Sequence, residues 1–280
     1  MTRQIALVLT MVASPALVHA ATFPAAAAYR PLRCGGAVMT DPPGDDPPSL
    51  LERDVVGDPS APAGLRAADD QFLYLRIRLD QDPAPGGAVH PFAWGMELDL
   101  DGDRSTYELL ISVDGIAAAA GTVSVFTNHT TTLPNDPADP ADQPAAATIA
   151  YNTAGRTIDA GSVVNGNADF FLDVAIPWAT LAPLGLDRDT RTYVWVGSSS
   201  VADALDGDLA CHDGGTGPPR LDATASDQTT GDPNNPGSGG GGGTGELRLE
   251  GGGGCQSTGS LGPGAGLALA LLGLRRRRRG

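Results

Sequence analysis

The sequence has no lysine. All 18 basic residues are arginine, set against 33 acidic residues, for a net charge of −15. Five of the arginines form the run Arg275–Arg279 and Arg3 stands near the start, so residues 21–255 hold twelve arginines against all 33 acids, a net of −21. That balance argues against nucleic acid as a partner, because phosphate binding needs a basic surface. It also speaks against docking of the folded part on anionic lipid heads. Aromatic residues are scarce, at 5%, which argues against a large aromatic-lined cavity. Long apolar runs are missing too: the stretch Leu261–Leu274 has 14 residues, about 21 Å as a helix against a hydrocarbon core of about 30 Å. Catalytic motifs are also lacking. There is no G-x-S-x-G and no H-E-x-x-H, and the histidines are His19, His90, His129 and His212. Acids are too numerous for any one pair to mark a glycosidase. The chain is read as a non-enzyme, with a secreted hydrolase as an alternative.

Both ends carry processing features. Residues 1–20, MTRQIALVLTMVASPALVHA, combine Arg3, a short apolar core Ile5–Val12 and the small residue Ala20, the pattern of a secretory leader cut after Ala20. An uncleaved anchor is the alternative. The mature chain then begins near Ala21 outside the cytoplasm, where disulfides are permitted. At the other end, residues 226–254 are rich in glycine, a flexible tether in composition. Cys255 follows, then QSTGS, the apolar stretch Leu261–Leu274 and five arginines. This order of parts over residues 251–280 resembles the MYXO-CTERM sorting signal of myxobacterial surface proteins. The resemblance implies a membrane-embedded sorting protease as partner, Cys255 as the processed residue and loss of the tail. Localisation would be the cell surface or outer membrane of a Gram-negative, myxobacterium-like bacterium, or release from it. A plain tail anchor is the other reading of 255–280.

Between the ends, period-two alternation recurs, the mark of strands. In Phe72–Leu79, Leu73, Leu75, Ile77 and Leu79 share a face opposite Phe72, Tyr74, Arg76 and Arg78. In Phe92–Leu100 the apolar row is Phe92, Trp94, Met96, Leu98 and Leu100, with Glu97 and Asp99 opposite. Tyr107–Val113 and Phe170–Ile176 alternate likewise, and Leu51–Val56, Thr122–Thr127, Thr148–Asn152 and Thr192–Gly197 are further candidates. Turn signals such as DLDGDRS, NTAGR and VNGNAD separate them. Pro177 opens a single helical turn, PWATLAPLG, with Trp178 and Leu181 toward the sheet. The expected fold is all-β: an antiparallel β-sandwich of about eight to ten strands with one short helical turn, spanning roughly 34–225.

The segments DDQFLYLRIRLDQD, AWGMELDLDGD, YELLISVDG and FFLDVAIPWATLAPLGL are similar to the DOMON-like superfamily, which includes family-nine carbohydrate-binding modules. The likeness covers roughly 50–200 and implies a sandwich that binds sugars or, in some relatives, haem. Haem needs axial ligands. His90 and Met96 are the candidates, but Met96 falls in an apolar row, so neither haem nor nucleotide is expected.

Three constellations remain. Asp99-Leu-Asp101-Gly-Asp103 with Glu108 brings alternate carboxylates to a tight turn, and Ca²⁺ takes hard oxygen ligands. The EF-hand pattern fails, since Gly102 and Glu108 stand at the wrong loop positions; a solvated acidic hairpin is the alternative. Cys34 and Cys211 flank the strands as an even pair, Cys255 being used by the sorting signal. A Cys34–Cys211 disulfide would close a loop of about 178 residues, worth roughly 3–5 kcal/mol in the chain-entropy account; two free thiols are the alternative. Tyr193 and Trp195 share a strand face opposite Val194 and Val196. Exposed, they would stack on sugar rings; buried, they are core. The functional expectation is an exported, surface-anchored, non-catalytic protein that binds extracellular polysaccharide. The alternative is a calcium-stiffened structural component of envelope or matrix. Exposure of Tyr193 and Trp195 favours the first; their burial beside a well-formed acidic cage favours the second.

Overall fold

The computed structural model describes residues 20–34, 37–45, 50–210 and 226–229. The molecule is an all-β sandwich of two antiparallel sheets. The five-stranded sheet runs in the order β1 (Arg30–Pro31), β4 (Gly64–Ala68), β5 (Phe72–Leu79), β11 (Phe170–Pro177) and β10 (Gly155–Asp159). The other runs β13 (Ser226–Thr229), β12 (Arg191–Ser199), β6 (Ala93–Asp99), β7 (Leu109–Asp114), β8 (Thr122–Thr127) and β9 (Ala147–Ala150). A small hairpin pairs β2 (Arg33–Cys34) with β3 (Ala37–Val38). Among the described residues no helix is long and apolar enough to cross a membrane.

Alternation builds the centre. Leu73, Leu75, Ile77 and Leu79 of β5 and Leu172, Val174 and Ile176 of β11 meet Trp94, Met96 and Leu98 of β6 and Val194 and Val196 of β12. Each such side chain contributes about 1.5–3 kcal/mol on burial. The turn after Pro177 is the helix α2 (Trp178–Leu181), whose Trp178 and Leu181 join this core.

Two segments depart from the sequence reading. Leu51–Val56 is a turn with one isolated bridge, Val55 to Leu79. Val55 and Val56 are both fully buried, so neighbouring side chains do not alternate, and the Val55 amide donates to Asp208 Oδ2 at 2.6 Å. NTAGR, read as a turn, is instead the end of α1 (Tyr151–Ala154) and the start of β10. Gly155 allows this change of direction because a Cβ there would run into the Tyr151 ring.

Neither sheet has a bare outer face. On the five-stranded sheet, Tyr74 and Ala175 cluster with Tyr29 and pack against Ala21 and Phe23 of the leading segment. The Ala21 amide donates to Thr153 O at 3.1 Å, and the Tyr74 hydroxyl to Thr22 O at 3.2 Å. Beneath lies a buried ion network. Arg76 donates to Asp173 from Nε at 2.5 Å and Nη2 at 2.8 Å, and Arg156 Nε adds a third bond at 2.8 Å. The Arg76 guanidinium stacks on Tyr29 at 3.7 Å and Phe171 at 4.2 Å.

On the six-stranded sheet, Trp195, Leu110 and Phe126 gather Tyr107, Ala141, Leu205 and Leu209 over them. Asp139 fastens this cover: its Oδ1 accepts from the Thr132 and Leu133 amides at 2.8 and 2.7 Å, and its Oδ2 from Asn128 Nδ2 at 2.9 Å. Burial opposes the Asp139 charge, but these hydrogen bonds outweigh it and hold the carboxyl below the usual range.

Candidate functional site

The strands β6 and β7 place an acidic group at one end of the six-stranded sheet. Leu98 pairs with Leu109, and the Glu108 amide donates to Leu98 O at 2.9 Å. Antiparallel register therefore sets Asp99 opposite Glu108, on the face away from the intersheet core. The connecting turn bends back at Gly102, whose φ is +88°, and brings Asp101 to the same place. One oxygen from each of Asp99, Asp101 and Glu108 lies within 4.8 Å of the others.

Hydrogen bonds fix part of this group. Asp99 Oδ1 accepts from the amides of Asp101 at 2.9 Å and Gly102 at 2.6 Å. Glu108 Oε2 accepts from the Leu100 amide at 2.6 Å. Asp99 is fully buried, and its Oδ2 has no hydrogen-bond partner. Such an orphaned buried acceptor is costly unless an ion or water meets it. Burial, with the charges of Asp101 and Asp99, pushes the Glu108 carboxyl up to about 7. Burial also raises Asp99, against the pull of its two amide bonds. Asp103, the fourth residue expected, is exposed and outside this group. Its Oδ1 is occupied by the Ser105 hydroxyl at 2.7 Å and amide at 3.2 Å, and those bonds hold its carboxyl low.

The other expected residues take different places. Trp195 is 1% exposed, inside the outer cluster of the six-stranded sheet. Tyr193 is half-buried beside that cluster, with the Arg104 guanidinium 5.5 Å from its ring. They share a face as predicted, but that face is roofed. Met96 lies in the intersheet core, and His90 pairs with Glu52 at 3.1 Å. The expected leader through His19, Cys211 and Cys255 lie outside the described residues, as does the side chain of Cys34.

The structure also assembles groups that the sequence did not reveal. Asp41, Asp45 and Asp208 each bring an oxygen within 4.8 Å of the others; Asp208 is too distant along the chain from the other two for a local motif to show. Glu97, in register between Leu110 and Trp195, is fully buried with neither carboxylate oxygen hydrogen-bonded. Burial, then the charges of Asp139 and Asp136, raise its pKa far above the ordinary value. No known protein family, curated protein or solved structure matches the chain.

Proposed function

We propose that this protein is an exported, surface-tethered, non-catalytic β-sandwich that serves as a calcium-stiffened structural component of the cell envelope or matrix. The observation that carries the reading is the orphaned Asp99 Oδ2, buried beside Asp101 and Glu108. Three carboxylates crowded on a strand pair repel one another. A hard divalent cation relieves that repulsion, gives the orphaned oxygen a partner and ties β6, the turn and β7 together. Ca²⁺ takes six to eight oxygens in flexible geometry, and main-chain carbonyls and water supply the remainder. Export and attachment are supported by the leader ending at Ala20, the glycine tether and the Cys255 tail with its resemblance to a sorting signal. Polysaccharide binding through Tyr193 and Trp195 has less support, because a ring 1% exposed offers no face for a sugar.

Thermal unfolding tests the calcium reading. Calcium at a hundred times its Kd stabilises by about 2.7 kcal/mol, a rise in Tm of about 5–10 °C for a domain of this size. The Asp99→Asn/Glu108→Gln variant is expected to lose that rise, and sodium chloride at equal ionic strength is expected not to reproduce it. An equal calcium-dependent rise in both proteins would overturn the reading.

A further inference from the structure

A groove of about 270 Å³ opens beside the edge strand β10, lined by Asp82, Tyr151, Thr157, Ile158, Asp159 and Phe170 among others. Register explains why these residues meet. Asp159 pairs with Phe170 and Phe170 with Leu79, which sets three strands in a row. At about 4.8 Å per strand the row spans about 10 Å. The chain leaving Leu79 then carries Asp82 to the groove, so the two carboxylates come from elements on either side of the Phe170 strand.

The polar lining is mostly acceptors. The Tyr151 and Thr157 hydroxyls bond each other at 2.8 Å. Asp82 Oδ1 accepts from the Ala84 amide at 2.9 Å and Asp159 Oδ1 from the Gly161 amide at 2.7 Å; each bond uses one oxygen and fixes its carboxylate in place. Among the described residues no arginine or histidine lines the groove. Ionised carboxylates accept and never donate, and the Tyr151–Thr157 pair keeps a single free hydroxyl proton, so the lining favours a ligand that chiefly donates. A sugar hydroxyl needs acceptor and donor partners together, whereas an ammonium only donates. Ile158 and Phe170 add apolar surface for methylenes, and the net charge of −21 over residues 21–255 draws cations toward the molecule.

We propose that this groove binds a small aliphatic di- or polyamine, its ammonium groups on Asp82 and Asp159 and its methylenes across Phe170 and Ile158. The proposal goes beyond the structural reading above and uses none of the calcium-site residues. Calorimetric titration of the purified protein with cadaverine in 0.15 M sodium chloride, about physiological ionic strength, is the test. Saturable one-to-one binding is expected. Asp82→Asn and Asp159→Asn should each weaken it about twofold to fivefold, the loss of one partly exposed ion pair. Asparagine keeps the Oδ1 acceptor of each turn, and unchanged melting would show that the variants remain folded. Binding should persist in the Asp99→Asn/Glu108→Gln variant, so its failure is separable from failure of the calcium reading. No binding by the wild type would overturn the proposal. So would equal binding by the Asp82→Asn/Asp159→Asn double variant, which means diffuse attraction to an acidic surface, or tighter binding of a neutral hexose.

Discussion

Asp80 shows how single acids shape the stability of this protein. It is fully buried where β5 ends, and its Oδ1 has no hydrogen-bond partner. Asn165 Nδ2 reaches Oδ2 only at 3.3 Å, and Asn167 Nδ2 bonds its main-chain oxygen at 2.6 Å. Burial raises its pKa; the two asparagines act against that rise and the charge of Asp169 adds to it. Asp169 in turn lies 3.7 Å from the Arg78 guanidinium. A carboxyl raised on folding is protonated in both states at low pH. Above about pH 4 the unfolded chain releases the proton that the native state retains, so stability falls as pH climbs toward the folded pKa. Asp80→Asn removes that loss. The variant is expected to melt higher than the wild type at pH 7, with the advantage shrinking toward pH 3. A lower Tm at pH 7 would show instead that the native site favours the charged carboxylate.

At the scale of elements, the outer network tests what holds the leading segment down. Asp173 is fully buried and is held by Arg76, itself 2% exposed. Removing one partner of a buried pair strands the other charge, so Asp173→Ala is expected to cost about 3–5 kcal/mol in urea unfolding. Arg156→Ala should cost about 1 kcal/mol or less, because its side chain is 33% exposed. Equal losses would mean that the network acts as one unit. Elements with strict alternation, β5, β6, β11 and β12, were legible within a residue or two because one face meets the core. Leu51–Val56 misled because adjacent valines are buried together. β10 escaped notice because no residue of GRTID is fully buried and no apolar row marks it. At the candidate cation site, Asp99, Asp101 and Glu108 were legible as a turn motif. Burial of Trp195 was one of the two readings its strand offered, but that of Glu97 was not legible, since it depends on distant loops folding over a face that the strand pattern leaves polar.

At the largest scale the described residues are layered: leading segment, five-stranded sheet, apolar core, six-stranded sheet and looped cover. That layering buries four of the arginines. Arg53, Arg66, Arg76 and Arg78 are buried, and Arg30 precedes a proline. Arg104 is exposed at the β6–β7 turn, and exposed turn tips are where proteases cut first. With lysine absent, a protease specific for basic residues can cut only at arginine; among the described residues Arg33 and Arg191 are also exposed but lie in paired strands, and Arg188 is tied to Asp70. An early cut after Arg104 is expected, and it would sever Asp99 and Asp101 from Glu108. Calcium should slow that cut severalfold with a protease that does not itself need calcium, and the Asp99→Asn/Glu108→Gln variant should be cut at one rate regardless. Cleavage after Arg104 at equal rates with and without calcium in the wild type would show that the turn opens independently of the ion. The absence of one amino acid thus gives the molecule a built-in cleavage reporter, placed on the strand pair that the cation is proposed to fasten.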